Sequence, residues 1–146
     1  MPEYYGLNEP KKMIGEIDSM PSFRSKFEAN AWKVLIKHFP RSRYEPSKYS
    51  FIQPEKERTY VPDFKTGKRK IYIEAKGKMD LATRQKMIWF RQSNPLIRIV
   101  FLFMNPDVKI SKRSKTSYGK WASDNHFEWL DFRKDWINDY KKLCRT

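Results

Sequence analysis

The sequence predicts one α/β domain, built on a mixed sheet with helices on both faces. Two stretches predict it most directly. Residues 71–76 alternate as a strand should, with Ile71, Ile73 and Ala75 on one face and Tyr72, Glu74 and Lys76 on the other. Residues 97–104 are almost wholly apolar, as expected of a strand covered on both sides. A helical segment lies between them, so the three form a βαβ unit with a right-handed crossover and locally parallel pairing. At 146 residues the chain has room for one core.

The elements follow in order. Residues 1–21 hold three prolines and two glycines without a sustained period, and read as an arm preceding a single domain at 22–146. Ser22 to about His38 is the first helix, with Phe27, Ala31, Val34 and Leu35 on one stripe. Ser25-x-x-Glu28 has capping-box spacing, so local evidence alone makes Glu28 a cap. Tyr44 to Ile52 alternates, but Pro46 and Pro54 bracket it, which suits an edge or a bridging ribbon at about 44–54. A charged turn, Glu55-Lys56-Glu57-Arg58, leads into a strand over 59–64 that delivers Asp63.

After Lys76, Gly77 ends the strand and Asp80 caps a helix from Leu81 to about Ser93, closed by Asn94-Pro95. A basic loop follows the apolar strand. Thr116 caps a short helix through Ser123, residues 127–130 add a short strand, and Asp131 caps a last helix to about Leu143.

Thirty-one basic against 17 acidic side chains give a net charge of +14. The excess is concentrated: residues 65–120 carry 15 basic and 3 acidic side chains, while residues 121–146 carry 5 of each. Like charges so crowded favour a polyanionic partner, through counterion release from phosphates. No apolar run approaches the ~18 residues of a spanning helix, and no secretory signal opens the chain. The single cysteine, Cys144, fits a reducing cytoplasm. There is no phosphate-cradling Gly-x-x-x-x-Gly-Lys loop, so no nucleotide cofactor is expected, and no Gly-x-Ser-x-Gly elbow. His38 and His126 are too far apart in sequence to suggest a metal pair.

The chemistry concentrates between Tyr60 and Lys76. Asp63 lies just before the turn Thr66-Gly67-Lys68, and a hairpin closed there brings its carboxylate back beside Glu74. Glu74 and Lys76, two apart on a strand, project together. Two carboxylates and a lysine on adjoining strands can hold a hard divalent cation and steady developing negative charge. The spacing resembles the PD-(D/E)xK nuclease signature, for which the bland alternative is a solvated hairpin face whose charges merely pair.

Five segments together are more specific. Phe23-Arg24-Ser25-x-x-Glu28, Tyr60-x-Pro62-Asp63-Phe64, Ile73-Glu74-x-Lys76-Gly77, Ile97-Arg98-Ile99-Val100-Phe101 and Thr116-Ser117-Tyr118-Gly119 resemble, in order and spacing, the bacteriophage endonuclease I family of Holliday-junction-resolving nucleases. The resemblance implies a restriction-endonuclease-like fold and a catalytic set of Glu28, Asp63, Glu74 and Lys76. It implies two Mg²⁺ ions per site, replaceable by Mn²⁺, held by Asp63, Glu74, the Ala75 carbonyl and Glu28. It also implies a domain-swapped homodimer, with Glu28 from one chain and the other three residues from its partner. Branched DNA is the implied substrate, and the host cytoplasm the implied compartment. Its phosphates are expected to meet Arg24, Lys68, Arg69, Lys70, Lys78, Arg84, Lys109, Lys112, Arg113 and Lys115. Against the family pattern, the N-terminal arm is mixed in charge and the turn at 65–70 is rich in lysine. A neutral amphipathic helix also replaces the basic tail of some relatives.

Two other readings stand beside this one. A sequence-specific homing or restriction-type endonuclease could use the same scaffold, with the turn at 65–70 or the loop at 105–115 reading bases. A non-catalytic architectural DNA-binding protein would keep the fold without the chemistry, and the complete set of four residues argues against it.

Overall fold

The computed structural model describes residues 20–146 apart from Pro54 and Arg69. The expected arm therefore lies almost wholly outside the described residues. Apolar side chains at alternate positions of one central strand set the architecture. In β6 (Arg98–Phe103), Val100 and Leu102 enter one core cluster, and Ile99, Phe101 and Phe103 enter a second on the opposite face. β5 (Ile71–Lys76) pairs with β6 in parallel, Ile71 opposite Arg98 through Lys76 opposite Phe103. The connecting helix is α2 (Leu81–Ser93), capped by Asp80, whose side chain accepts from the Thr83 amide. The expected βαβ unit is present.

The full sheet has the order β1-β4-β5-β6-β7, with β1 (Arg43–Tyr44), β4 (Phe64–Lys65) and β5 antiparallel in succession and β7 (Glu128–Asp131) parallel to β6. It is mixed, as expected. α1 (Lys26–His38) and α4 (Trp136–Leu143) pack on the face of Ile73 and Val100, through Trp32, Leu35, Trp136 and Tyr140. α2 and α3 (Tyr118–Asp124) cover the other face, through Met87, Phe90, Trp121 and Ala122. Gly119 allows that closeness: a Cβ there would lie 2.8 Å from the Trp129 indole.

Several boundaries differ from expectation, each for a local reason. α1 begins at Lys26 rather than Ser22, because Ser25 is extended and caps the Glu28 amide while Phe23 packs against Trp32 and Tyr44. The segment expected as one ribbon strand is divided. Tyr44 ends β1 in the main sheet, Glu45 turns the chain at φ 47°, and β2 (Tyr49–Gln53) starts a separate antiparallel ribbon with β3 (Lys56–Tyr60). Residues 56–58 thus belong to a strand and not to the charged turn, which closes around Glu55 at φ 70°. The strand expected over 59–64 breaks at Val61-Pro62-Asp63, since Pro62 has no amide to give a ladder.

The ribbon folds back on its own chain. The Ile52 amide donates to Ser93 Oγ (2.9 Å), Asn94 Nδ2 donates to the Ser50 carbonyl (2.9 Å), and the Tyr49 and Tyr72 hydroxyls are hydrogen-bonded. Ser117, rather than Thr116, caps α3. Asp135, rather than Asp131, caps α4, because the Asp131 carboxylate already holds Arg133.

Candidate functional site

The hairpin between β4 and β5 brings Asp63 to Glu74, as the spacing requires. Gly67, at φ 99°, makes the turn, and Phe64 pairs with Ile73. One residue earlier Asp63 has left the ladder, so its amide donates to Glu74 Oε1 (3.2 Å) and its own Oδ2 accepts from the Ala75 amide (2.9 Å). Its carbonyl accepts from the Glu45 amide (2.8 Å), which ties this bend to the end of β1. Lys76 projects with Glu74 as alternation predicts, and its Nζ lies 2.8 Å from Glu74 Oε2.

Glu28 reaches the same cleft from the first turn of α1. Only half of a capping box forms. Ser25 Oγ accepts from the Glu28 amide (3.1 Å), but the Glu28 carboxylate accepts from the Tyr44 hydroxyl (2.5 Å) and from Ser25 Oγ (3.3 Å). The backbone of Glu28 is capped while its carboxylate serves the cleft. All four expected catalytic side chains line one cleft of about 420 Å³ in a single chain.

The cleft concentrates negative charge out of water. Glu28, Asp63 and Glu74 are 8, 4 and 3% exposed. Burial first, then the charges of Glu74 and Glu28, push the Asp63 carboxyl up to about 8. Burial works against the Lys76 ammonium, yet Glu74 outweighs it and raises Lys76. Arg24 spans the rim, 3.1 Å from Asp63 and 2.8 Å from Glu45. The donor set of three carboxylates and the Ala75 carbonyl is all hard oxygen, which suits Mg²⁺ or Mn²⁺ rather than a thiophilic metal. Among the described residues no three His, Cys, Asp or Glu side chains close on one point as they stand. Arg24 and Lys76 instead hold oxygens that a cation would compete for.

A stability consequence follows. The native Asp63 carboxyl titrates above its ordinary value of 3.8, so between 3.8 and about 8 the native chain holds a proton that the unfolded chain has released. On this account the metal-free protein loses stability as pH rises through that window. Asp63→Asn cannot ionise. In EDTA it should melt above wild type at pH 8, by about 1–3 kcal/mol, and the two curves should converge toward pH 4. A variant no more stable than wild type at pH 8 in thermal melts would remove the buried charge from the account.

The expected DNA-facing cations are distributed unevenly. Lys68, Lys70, Lys78, Lys109, Lys112, Arg113 and Lys115 are exposed, and Arg24 is 64% exposed at the cleft rim. Arg69 lies outside the described residues. Arg84 does not belong with them: it is buried, and its Nη1 donates to the carbonyls of Met79 (2.6 Å) and Ile110 (3.1 Å). Its guanidinium joins the start of α2 to the basic loop. Sequence reasoning missed Lys86, Thr59 and Tyr60 as cleft residues. Lys86 was legible only as one more basic residue on α2, and Tyr60 only as part of the motif.

The sequence is similar to those of known phage proteins. The chain matches the family model described as phage endonuclease I over residues 11–145. It is 30% identical over 128 residues to Endonuclease I of Escherichia phage T7, covering 86% of this chain and 85% of that protein. It is 32% identical over 110 residues to Endodeoxyribonuclease 1 of Enterobacteria phage T3, covering 75% and 72%. The matched span takes in α1, the hairpin and every strand that builds the cleft, and the chain belongs to the phage endonuclease I family.

Proposed function

We propose that this chain is a metal-dependent, structure-selective endodeoxyribonuclease that resolves four-way and other branched DNA junctions by paired phosphodiester nicks. The observation that carries the reading is the meeting of Glu28, Asp63, Glu74 and Lys76 in one cleft of a strongly basic chain. The names of its relatives in phages T7 and T3 support the nuclease part of it. Asp63, Glu74, the Ala75 carbonyl and Glu28 would hold two Mg²⁺ ions, with Mn²⁺ as a substitute. When bound, such ions supply positive charge for the attacking and leaving oxygens of a phosphodiester.

The chain's own residues do the rest. Lys76, kept protonated beside Glu74, is a source of positive charge for the phosphate and an orienter of water rather than a base. The Tyr44 hydroxyl holds the Glu28 carboxylate in place. Arg24, at the rim, is placed to exchange Asp63 for a substrate phosphate. Exposed lysines on the loop at 109–115 and the turn at 68–70 favour recognition by backbone and shape, because phosphate contacts position without reading sequence.

The homodimer belongs to the same proposal. The link at 45–48, between a sheet strand and the ribbon, is where the chain would open so that α1 and β1 pack on a partner, leaving each contact chemically unchanged. Mixing Glu28→Ala with Lys76→Ala subunits during refolding should then restore one intact site per heterodimer. Activity no higher than in the parent variants would reject exchange in favour of the site each chain forms alone. The function itself is tested with Mg²⁺ and either a four-way junction or a linear duplex of equal length. Junction cleavage independent of arm sequence is expected. Cutting confined to one sequence in the linear duplex would replace resolution with a sequence-specific nuclease, and tight binding without cleavage would replace it with an architectural protein.

A further inference from the structure

Three cations line the catalytic cleft: Arg24, Lys76 and Lys86. The first pairs with Glu45 and Asp63, and the second with Glu74. Lys86 pairs with no carboxylate and makes no hydrogen bond among the described residues. Its half-buried stem rises from α2, and its ammonium lies 5.1 Å from the centre of the Tyr60 ring. That ring is itself held edge-on by Phe90 at 4.8 Å. The cation–π contact returns only part of what ammonium desolvation costs. Burial, then the Lys76 charge, lowers the Lys86 pKa, and the charges of Glu74 and Asp63 across the cleft offset them only in part.

The position of Lys86 gives the missing anion a direction. Lys86 and Thr59 line both the catalytic cleft and a second groove of about 730 Å³ between the ribbon and α2. The groove is lined by apolar Phe51, Leu81 and Trp89, by a second cation in Arg58, and by no acidic residue among the described ones. Arg58 likewise makes no ion pair among the described residues, and its Nε donates only to Gln53. A path that, among the described residues, has two cations without ion pairs, no carboxylate and a start at the carboxylate cleft fits a phosphodiester backbone leaving that cleft.

We infer that Lys86 is a substrate-positioning residue that holds a phosphate next to the scissile one on the cut strand, where the catalytic cleft opens into the groove bearing Arg58. The inference rests on the nuclease reading above and deepens it. A purely structural lysine would stabilise Tyr60 and do no more, so the test reads charge on DNA.

Junction binding is measured in EDTA across a salt series, with junctions in which single phosphates beside the cut are replaced by neutral methylphosphonates. For Lys86→Met, the slope of log affinity against log salt should fall by about 1 per chain bound, with Lys86→Arg retaining it. The wild-type protein should lose affinity several-fold at one modified position, and Lys86→Met should show no further loss there. In Mg²⁺, kcat should fall more than KM rises, because a misplaced phosphate loses alignment before it loses binding. Thermal melts identify any unfolded variant, and Lys86→Gln then carries the same comparison. A wild-type salt slope in folded Lys86→Met, with sensitivity at every modified phosphate, overturns the inference alone. Wild-type protein whose junction binding ignores salt overturns it together with the nuclease reading.

Discussion

Glu74→Gln is expected to slow junction cleavage in Mg²⁺ by about a thousandfold or more, while junction binding in EDTA stays within a few-fold of wild type. The substitution keeps shape and removes charge. Glu74 is 3% exposed, accepts from the Asp63 amide, and is paired with Lys76, so one oxygen organises the hairpin while the other organises the lysine. Glutamine can keep the first contact. It cannot neutralise the ammonium, and it offers a weaker ligand to a hard cation. The cost should therefore appear in turnover and not in fold, read as a lower kcat with an unchanged or higher melting temperature. Cleavage within tenfold of wild type would take Glu74 out of the chemistry and reduce the motif to a charged hairpin.

Phe64→Ala should be the most damaging core substitution near the site. Phe64 is wholly buried, stacks on Trp32 at 6.2 Å, meets Tyr44 at 5.7 Å, and pairs with Ile73 across the hairpin. Its truncation should cost about 3–5 kcal/mol, a large share of the ~5–15 kcal/mol that holds a domain together. A fall in Tm of roughly 10–20 °C is expected. Because Asp63 is the preceding residue, cleavage should fall further than the folded fraction does. Urea melts set beside activity at a temperature where the variant is folded separate the two effects. A loss under about 1 kcal/mol would mean that the hairpin does not depend on this ring.

The parts of the fold that were legible in the sequence are those with local or periodic causes. Strand alternation predicted β5 and its division of faces, an apolar run predicted β6, and Asp80 predicted the start of α2. The Asp63–Glu74 juxtaposition followed from loop length alone, and the structure brings the two together. Glu28 is more instructive. Its cap spacing was real, yet its carboxylate is directed by Tyr44, sixteen positions away, and no local pattern reports that bond. The divided ribbon was hidden for a similar reason: alternation runs through residues 44–52, but Glu45 leaves the extended region and sends the two halves to different sheets. Arg84 was misjudged because charge is visible in a sequence, whereas the two carbonyls that bury it come from either side of α2 in the chain.

That same arginine changes the meaning of the basic loop. Arg84 grips the Ile110 carbonyl, Ile110 donates back to the Thr116 carbonyl, and the Tyr118 amide closes onto Val108. Lys109, Lys112, Arg113 and Lys115 are therefore displayed on a braced hoop, not on a slack tether. On the proposed function, in which these residues meet DNA, their mutual repulsion is borne by the fold beforehand, and the entropy of ordering the loop is lost at folding rather than at docking. Binding to such a surface relieves strain instead of creating order, so it should be fast, strongly dependent on salt and little affected by loop rearrangement.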